Sequence, residues 1–271
     1  MRQSWWKARN VVFLQADNND NIMMEKEQDW GSERLIRSRL LLGDEAMERL
    51  RAARGIVFGT GGVGSWCVEA LVRTGVKHLT IVDGDSVCES NINRQLMATT
   101  TTVGQPKVEV LRDRLLQIAP DADIEARQEL FNEQTAASFH LADYDFIVDA
   151  IDSLRDKALL IRLATETKAC FVSSMGAALK TDASRIQMAE FWKVKGCPLA
   201  RALRQRFKKE KLFPARKFKC VFSDEMGKNR LSTPLPEGHA NGSLLHITGI
   251  FGFMLAGEVI RDICLLKEGG L

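Results

Sequence analysis

A short apolar run, Gly55 to Gly59 (GIVFG), leads directly into G-x-G-x-x-G at Gly59, Gly61 and Gly64, with Gly62 enriching the turn as GTGGVG. Trp66 to Val72 then reads as a helix with Glu69 and Arg73 on its polar side. Few local patterns restrict a fold more. The first glycine permits a tight turn, the second lets backbone approach a phosphate, and the third lets the helix pack close to the strand. Free N–H groups at the helix start and the positive end of its dipole face the anion. Leu79 to Val82 supply the next strand. Asp83, 19 residues after Gly64, stands where a carboxylate can accept ribose hydroxyls. The pattern predicts a nucleotide site but does not choose between a dinucleotide and ATP. A purely structural glycine turn is the plainer alternative.

Strand and helix alternate beyond this unit. Helices are expected at Lys107–Ile118, at 132–141 with Asn132 as cap, and at Arg155–Thr167. Strands are expected at Asp123–Arg127, 145–151 and 169–174. Such alternation predicts an α/β, Rossmann-like, doubly wound and mostly parallel sheet, with Gly59–Gly64, Asp83 and Asp152 gathered at its carboxyl edge. After Ser184 the pattern changes to a smaller C-terminal antiparallel/helical extension. It comprises an alternating strand at 185–192, a basic helix at 197–211, a strand at Lys219–Ser223, a loop at 226–242 and a last helix capped by Ser243. The expected divisions are a disordered extension at 1–23, N-terminal helices at 24–54, an ATP-binding adenylation domain at 55–184, and a C-terminal extension of the same domain at 185–271, with a basic segment at 201–219.

Composition excludes little. A net charge of +3 over 271 residues is too mild to imply nucleic acid by itself. The six cysteines, Cys67, Cys88, Cys170, Cys197, Cys220 and Cys264, include no C-x-x-C pair, so a structural zinc site has no support and a reduced, cytoplasmic protein is the simplest reading. Residues 244–260 are apolar but interrupted by His246, three glycines and Glu258, which suits a buried helix better than a membrane span.

The residues after Asp83 separate the two nucleotide chemistries. Asp85, Asn91, Arg94 and Gln95 follow within a dozen positions, and Lys107 opens the next helix. Arg94 and Lys107 can neutralise triphosphate charge, as phosphoryl or nucleotidyl transfer requires. Asp152 can hold Mg²⁺, an ion that takes few carboxylates and keeps its waters. Each residue has a structural alternative. The cations could be solvated surface charges, and Asp152-Ser153 could cap the following helix.

The blocks GTGGVGS, VDGDSVCESNINRQ, VGQPKVEVL and VDAIDSLRDK, in this order, resemble the signature of the ubiquitin-activating-like adenylyltransferases, the HesA/MoeB/ThiF superfamily. That resemblance implies activation of a carboxylate by ATP with release of pyrophosphate. It implies Gly59, Gly61, Gly62 and Gly64 on the phosphates and Asp83 on the ribose. It places Arg94 and Lys107 on the triphosphate and Asp152 on Mg²⁺. It also implies a homodimer, in which an arginine from the partner's N-terminal helix completes the site. Arg37, six residues before Gly43, is the best match, and Arg39 the alternative. The paired C-x-x-C motifs of sulfur-carrier activators are missing. RLLLGDEAMERL, DAIDSLRDKALLI and CVFSDE look like the branch that cyclises threonylcarbamoyladenosine in tRNA, the threonylcarbamoyladenosine dehydratases. This second resemblance implies ATP-dependent dehydration of a tRNA nucleoside, with a sulfur-relay protein as a candidate partner. An adenylyltransferase for a small carrier protein ending in Gly-Gly, and an NAD-dependent oxidoreductase, are the alternatives.

Arg201 to Lys219 holds nine Lys/Arg and one Glu, with Phe207, Phe213 and Phe218 interleaved. Arg201, Arg204, Arg206, Lys208, Lys209 and Lys211 are therefore candidate tRNA phosphate contacts, against the alternative of a solvated helix face. Cys197 and Cys220 are the only thiols with a candidate catalytic role. The plainer reading makes them buried structural groups, because an intramolecular attack needs no enzyme nucleophile.

Overall fold

The computed structural model describes residues 33–231 and 241–265. The extension expected at 1–23 lies outside them, as does part of the loop at 226–242. Among the described residues a 3-10 turn, Glu33–Leu35, leads into two short α-helices, α1 (Ile36–Leu42) and α2 (Asp44–Ala52). They are followed by β1 (Arg54–Phe58), α3 (Gly64–Thr74), β2 (His78–Val82), α4 (Lys107–Ile118), β3 (Asp123–Arg127), β4 (Phe146–Asp149), α5 (Leu154–Glu166) and β5 (Cys170–Ser174). The remaining elements are β6 (Ile186–Glu190), α6 (Pro198–Glu210), β7 (Lys219–Ser223) and α7 (Leu245–Leu265).

One seven-stranded sheet has the order β3-β2-β1-β4-β5-β7-β6. All its pairings are parallel except β6 with β7. The chain winds outward from β1 through β2 to β3, then returns to the other side of β1 with β4. The carboxyl ends of β1 and β4 therefore flank a topological switch point, the place where such sheets bind ligands. β1 is buried along Gly55–Phe58 and β4 along its whole length, as expected of strands covered by helices on both faces. One core, with Leu71, Leu111 and Val148 among its members, packs under α2, α3, α4 and α7. The other, with Phe58, Phe139 and Leu160, lies under α5 and α6.

β7 joins β5 in parallel and β6 folds back on β7, so the C-terminal part extends the same sheet. α7 buries Ile247, Phe251, Leu255 and Val259 against α3. Among the described residues no helix is long and apolar enough to cross a membrane.

Two local expectations fail. In place of a helix at 132–141 there are two 3-10 turns, Ala136–Phe139 and Leu141–Asp143, separated by His140 at φ 45°. Asn132 does act as a cap, its Oδ1 accepting from the N–H groups of Gln134 and Thr135. The segment is too short to propagate, and burying Phe139 and Leu141 sets its path instead. The last helix begins at Leu245, beyond Ser243, whose carbonyl accepts from Asn93 Nδ2 at 2.9 Å.

Candidate active site

At the carboxyl edge of β1 the glycine turn is fixed by its neighbours. Gly59 has φ 86°, and a Cβ there would lie 2.7 Å from the Ala150 carbonyl. A Cβ on Gly64 would come within 1.8 Å of the Gly59 carbonyl, so only glycine lets α3 start this close to β1. Ser65 Oγ donates to the Gly61 carbonyl at 2.7 Å, closing the first turn of the helix. The backbone is thus shaped as the motif requires, with the N-terminus of α3 directed at the switch point.

Asp83 leaves β2 beside this turn and is held from three directions. Its Oδ2 accepts from Thr60 N at 2.7 Å and from Thr60 Oγ1 at 3.1 Å, and its Oδ1 accepts from Asp85 N at 3.0 Å. An ionised carboxylate has about four acceptor sites, so one remains open for an incoming hydroxyl. Thr60, fully buried, was not apparent as a site residue from sequence. The motif specifies only the glycines, and x positions carry no signal.

Lys107, the first residue of α4, points back into the same region. Its Nζ lies 2.7 Å from Asp85 Oδ2 and 3.9 Å from Asp83 Oδ1, and its side chain is almost wholly buried. Asp85 is the exposed partner of the pair. Arg94 is half-buried. Its Nη1 donates to the Ser90 carbonyl and to Asn93 Oδ1, each at 2.8 Å, and no carboxylate pairs with it among the described residues. Trp66 Nε1 fixes the Arg94 backbone by donating to its carbonyl at 3.0 Å. Asn91 turns inward, its Oδ1 accepting from Cys88 N at 3.1 Å. Gln95 is buried beside Gly61, and its Oε1 has no hydrogen-bond partner. An acceptor left so costs about 1–3 kcal/mol, so a donor from a ligand would relieve it.

Asp152 lies in the turn between β4 and α5, exposed and without a partner among the described residues. It does not cap α5. Ser153 does, its Oγ accepting from Asp156 N. A buried cluster that sequence reading missed holds this turn. Lys157 Nζ contacts Asp149 Oδ2 at 2.8 Å with both side chains fully buried, and donates to the Ile151 carbonyl at 2.8 Å. Asp149 Oδ1 accepts from Ile151 N, and Ser173 Oγ donates to Asp149 Oδ2 at 2.6 Å. Both backbone groups of Ile151 are thereby fixed one residue before Asp152. The signal was present in DAIDSLRDK, since an aspartate inside an apolar strand needs a cation or hydrogen-bond donors buried beside it.

Other sequence-predicted residues lie farther out. Arg37 is exposed on α1, whereas Arg39 is engaged with Asp44. Cys197 and Cys220 are buried, and burial pushes the Cys220 thiol well up, so Cys220 is not poised as a thiolate. On α6, Ala200, Leu203 and Phe207 form the buried stripe. Arg201, Lys208, Lys209 and Lys211 are exposed. Arg204 turns inward to the Phe191 carbonyl, and Arg206 pairs with Glu210 at 3.0 Å. Just beyond the carboxyl end of β7, Glu225 accepts from the N–H groups of Thr181 and Asp182, and these bonds hold its carboxyl down at about 2.

A glycine turn at the switch point of a parallel sheet, with two cations and spare carboxylates around it, defines a nucleotide-binding α/β domain equipped for phosphate chemistry. The chain belongs to the ThiF family, whose model matches residues 33–269. It is 38% identical over 248 residues to the tRNA threonylcarbamoyladenosine dehydratase of Bacillus subtilis, covering 86% of this chain and 94% of that protein. To the enzyme of the same name from Haemophilus influenzae it is 36% identical over 236 residues, 83% of this chain and 90% of that one. The structure of the Escherichia coli tRNA N6-threonylcarbamoyladenosine dehydratase in complex with ATP superposes with a TM-score of 0.78 at 32% identity, covering 88% of this chain and 97% of that chain.

Proposed function

We propose that this protein adenylates the threonyl carboxylate of N6-threonylcarbamoyladenosine in tRNA and then closes it to the cyclic form. The observation that carries the reading is the convergence of Gly59–Gly64, Asp83, Arg94, Lys107 and Asp152 on one sheet edge, in a chain 38% identical to a dehydratase of that name along most of its length. Incubating the protein with ATP and modified tRNA, then digesting the RNA and weighing its nucleosides, tests it. The target nucleoside should lose one water.

ATP lies with its phosphates against the glycine turn and a ribose hydroxyl on the open acceptor site of Asp83. Asn91 and Gln95 line the same pocket, and the orphaned Gln95 Oε1 suits a ligand N–H or O–H. A carboxylate is a poor electrophile. Its oxygen attacks the α-phosphorus, the bond to the β-phosphate breaks, and pyrophosphate leaves. Arg94, with donors to spare, and Lys107, shared with Asp85, stabilise the charge that grows on the phosphates. The partnerless Asp152 carboxylate fits Mg²⁺, which with the phosphates and waters would supply further charge neutralisation. The carbamoyl group then attacks the activated carbonyl from within the same nucleoside and AMP departs. Orientation replaces an enzyme nucleophile in that step, in keeping with the buried Cys197 and Cys220.

The protein acts as a homodimer in the cytoplasm, with Arg37 of each subunit completing the site of the other. A sulfur-relay protein is a candidate partner. The tRNA backbone runs along α6 against Arg201, Lys208, Lys209 and Lys211. Arg204 and Arg206 serve the helix itself, given their partners Phe191 and Glu210.

A further inference from the structure

α6 starts at the nucleotide edge and ends at the opposite one. A Cβ on Gly196, just before it, would meet the backbone of Asp224 beyond the carboxyl end of β7. After it the chain returns to Phe218, whose carbonyl accepts from Phe191 N at the amino end of β7. Thirteen helical residues separate the two ends by about 20 Å. At the far end two aromatic rings stand in solvent. Trp192 is 40% exposed and Phe213 51%, with ring centroids 6.2 Å apart. Leu212, next to Phe213 in sequence, is 47% exposed. Trp192 is not loose, because its other side rests edge-on against the buried Phe191 at 5.2 Å. Lys193, Lys195, Lys208, Lys209, Lys211 and Lys217 flank these rings in sequence, and all are exposed. Phe207 and Phe218, the other two phenylalanines of the basic segment, are buried, so Phe213 alone of the three faces outward.

We infer that Trp192 and Phe213 form a platform on which an unpaired base of the tRNA stacks, about one α6 length from the chemistry. An apolar pair set in a lysine-rich stretch of chain, with Glu210 the one acid between Arg201 and Lys219, suits a ligand that is both flat and anionic. A base with its phosphates is such a ligand, since every base has a π-face and carries its own negative charge. The inference rests on the tRNA reading above and adds a second anchor to it, one that does not depend on charge. Stacking of a base is worth about 1–3 kcal/mol by alanine substitution, and phosphate contacts carry the salt dependence.

Filter binding of modified tRNA across a salt series separates the two. Trp192→Ala with Phe213→Ala should weaken binding about tenfold at every salt concentration and leave the log-log slope parallel to wild type. KM for tRNA should rise while kcat at saturating tRNA holds. Trp192→Phe should stay within about twofold, and Trp192→Leu, apolar but not flat, should lose as much as alanine there. The Leu and Phe variants sit on an exposed site, so each can be checked for wild-type melting before use. Equal affinity of the double variant, or full affinity with leucine at 192, overturns the platform and points to a protein partner for the patch. If wild-type protein itself binds no tRNA, the tRNA reading fails and the platform with it. Quenching of Trp192 fluorescence by a short uridine oligomer, lost in Trp192→Phe, is the independent expectation.

Discussion

Lys157 and Asp149 form an ion pair at 2.8 Å from which water is wholly excluded. Removing one partner of such a pair leaves a buried charge, which costs about 3–5 kcal/mol, whereas replacing both by neutral groups is often tolerated. Lys157→Met should therefore destabilise the protein by about 3–5 kcal/mol in urea unfolding, and adding Asp149→Asn should recover most of that loss. A loss below about 1 kcal/mol in the single variant would mean that the pair is not closed in solution.

Asp152 hangs from the turn that this pair fixes, and Ser153 already caps α5. Asp152→Asn should leave the melting temperature within a few degrees of wild type. Adenylation should fall by a hundredfold or more, on the order of the loss of a transition-state charge contact. Melting and pyrophosphate exchange, measured on the same preparation, check both parts. Lower stability with intact exchange would assign Asp152 to the fold instead.

Arg94 and Lys107 differ in their partners, and their variants should differ accordingly. Each alanine substitution should lower kcat by roughly a hundredfold. Lys107→Ala also leaves Asp85 unpaired and should cost some stability, while Arg94→Ala gives up only the Ser90 and Asn93 bonds. Turnover at wild-type rate in either variant contradicts its role.

Glu225 offers a test by titration. Its folded pKa, about 2, lies below the ordinary 4.5 because Asp182 and Thr181 N–H groups bind the ionised form. A depressed pKa means stability present above pH 4.5 and lost as the pH falls through about 2. The loop around Thr181 should thus stay anchored through mild acid. A carboxyl carbon NMR titration should place the Glu225 midpoint near 2. A midpoint near 4.5 would show the anchor open.

The glycine turn, Asp83 and the α4 start at Lys107 were legible because backbone geometry there admits few residue types, and a motif records that restriction. The central parallel strands β1 and β4 announced themselves as apolar runs, whereas β3, DIEAR, did not. Even the antiparallel β6 was readable from its alternation. What stayed hidden depends on contacts distant in sequence. Thr60 and Ser173 matter because Asp83 and Asp149 stand beside them, and a hydroxyl looks the same in a loop that touches nothing. The failed helix at 132–141 had the right cap but a core that needed Phe139 and Leu141 on a tighter path. Arg204 and Arg206 looked like their neighbours on α6 until Phe191 and Glu210 were found beside them.

Exchange of labelled pyrophosphate into ATP reports adenylation directly and names the carboxylate that drives it. With this protein, exchange should require Mg²⁺ and tRNA carrying N6-threonylcarbamoyladenosine, and should stop when that tRNA is replaced by its unmodified form. Exchange driven instead by a small protein ending in Gly-Gly, with modified tRNA inert, would contradict the account.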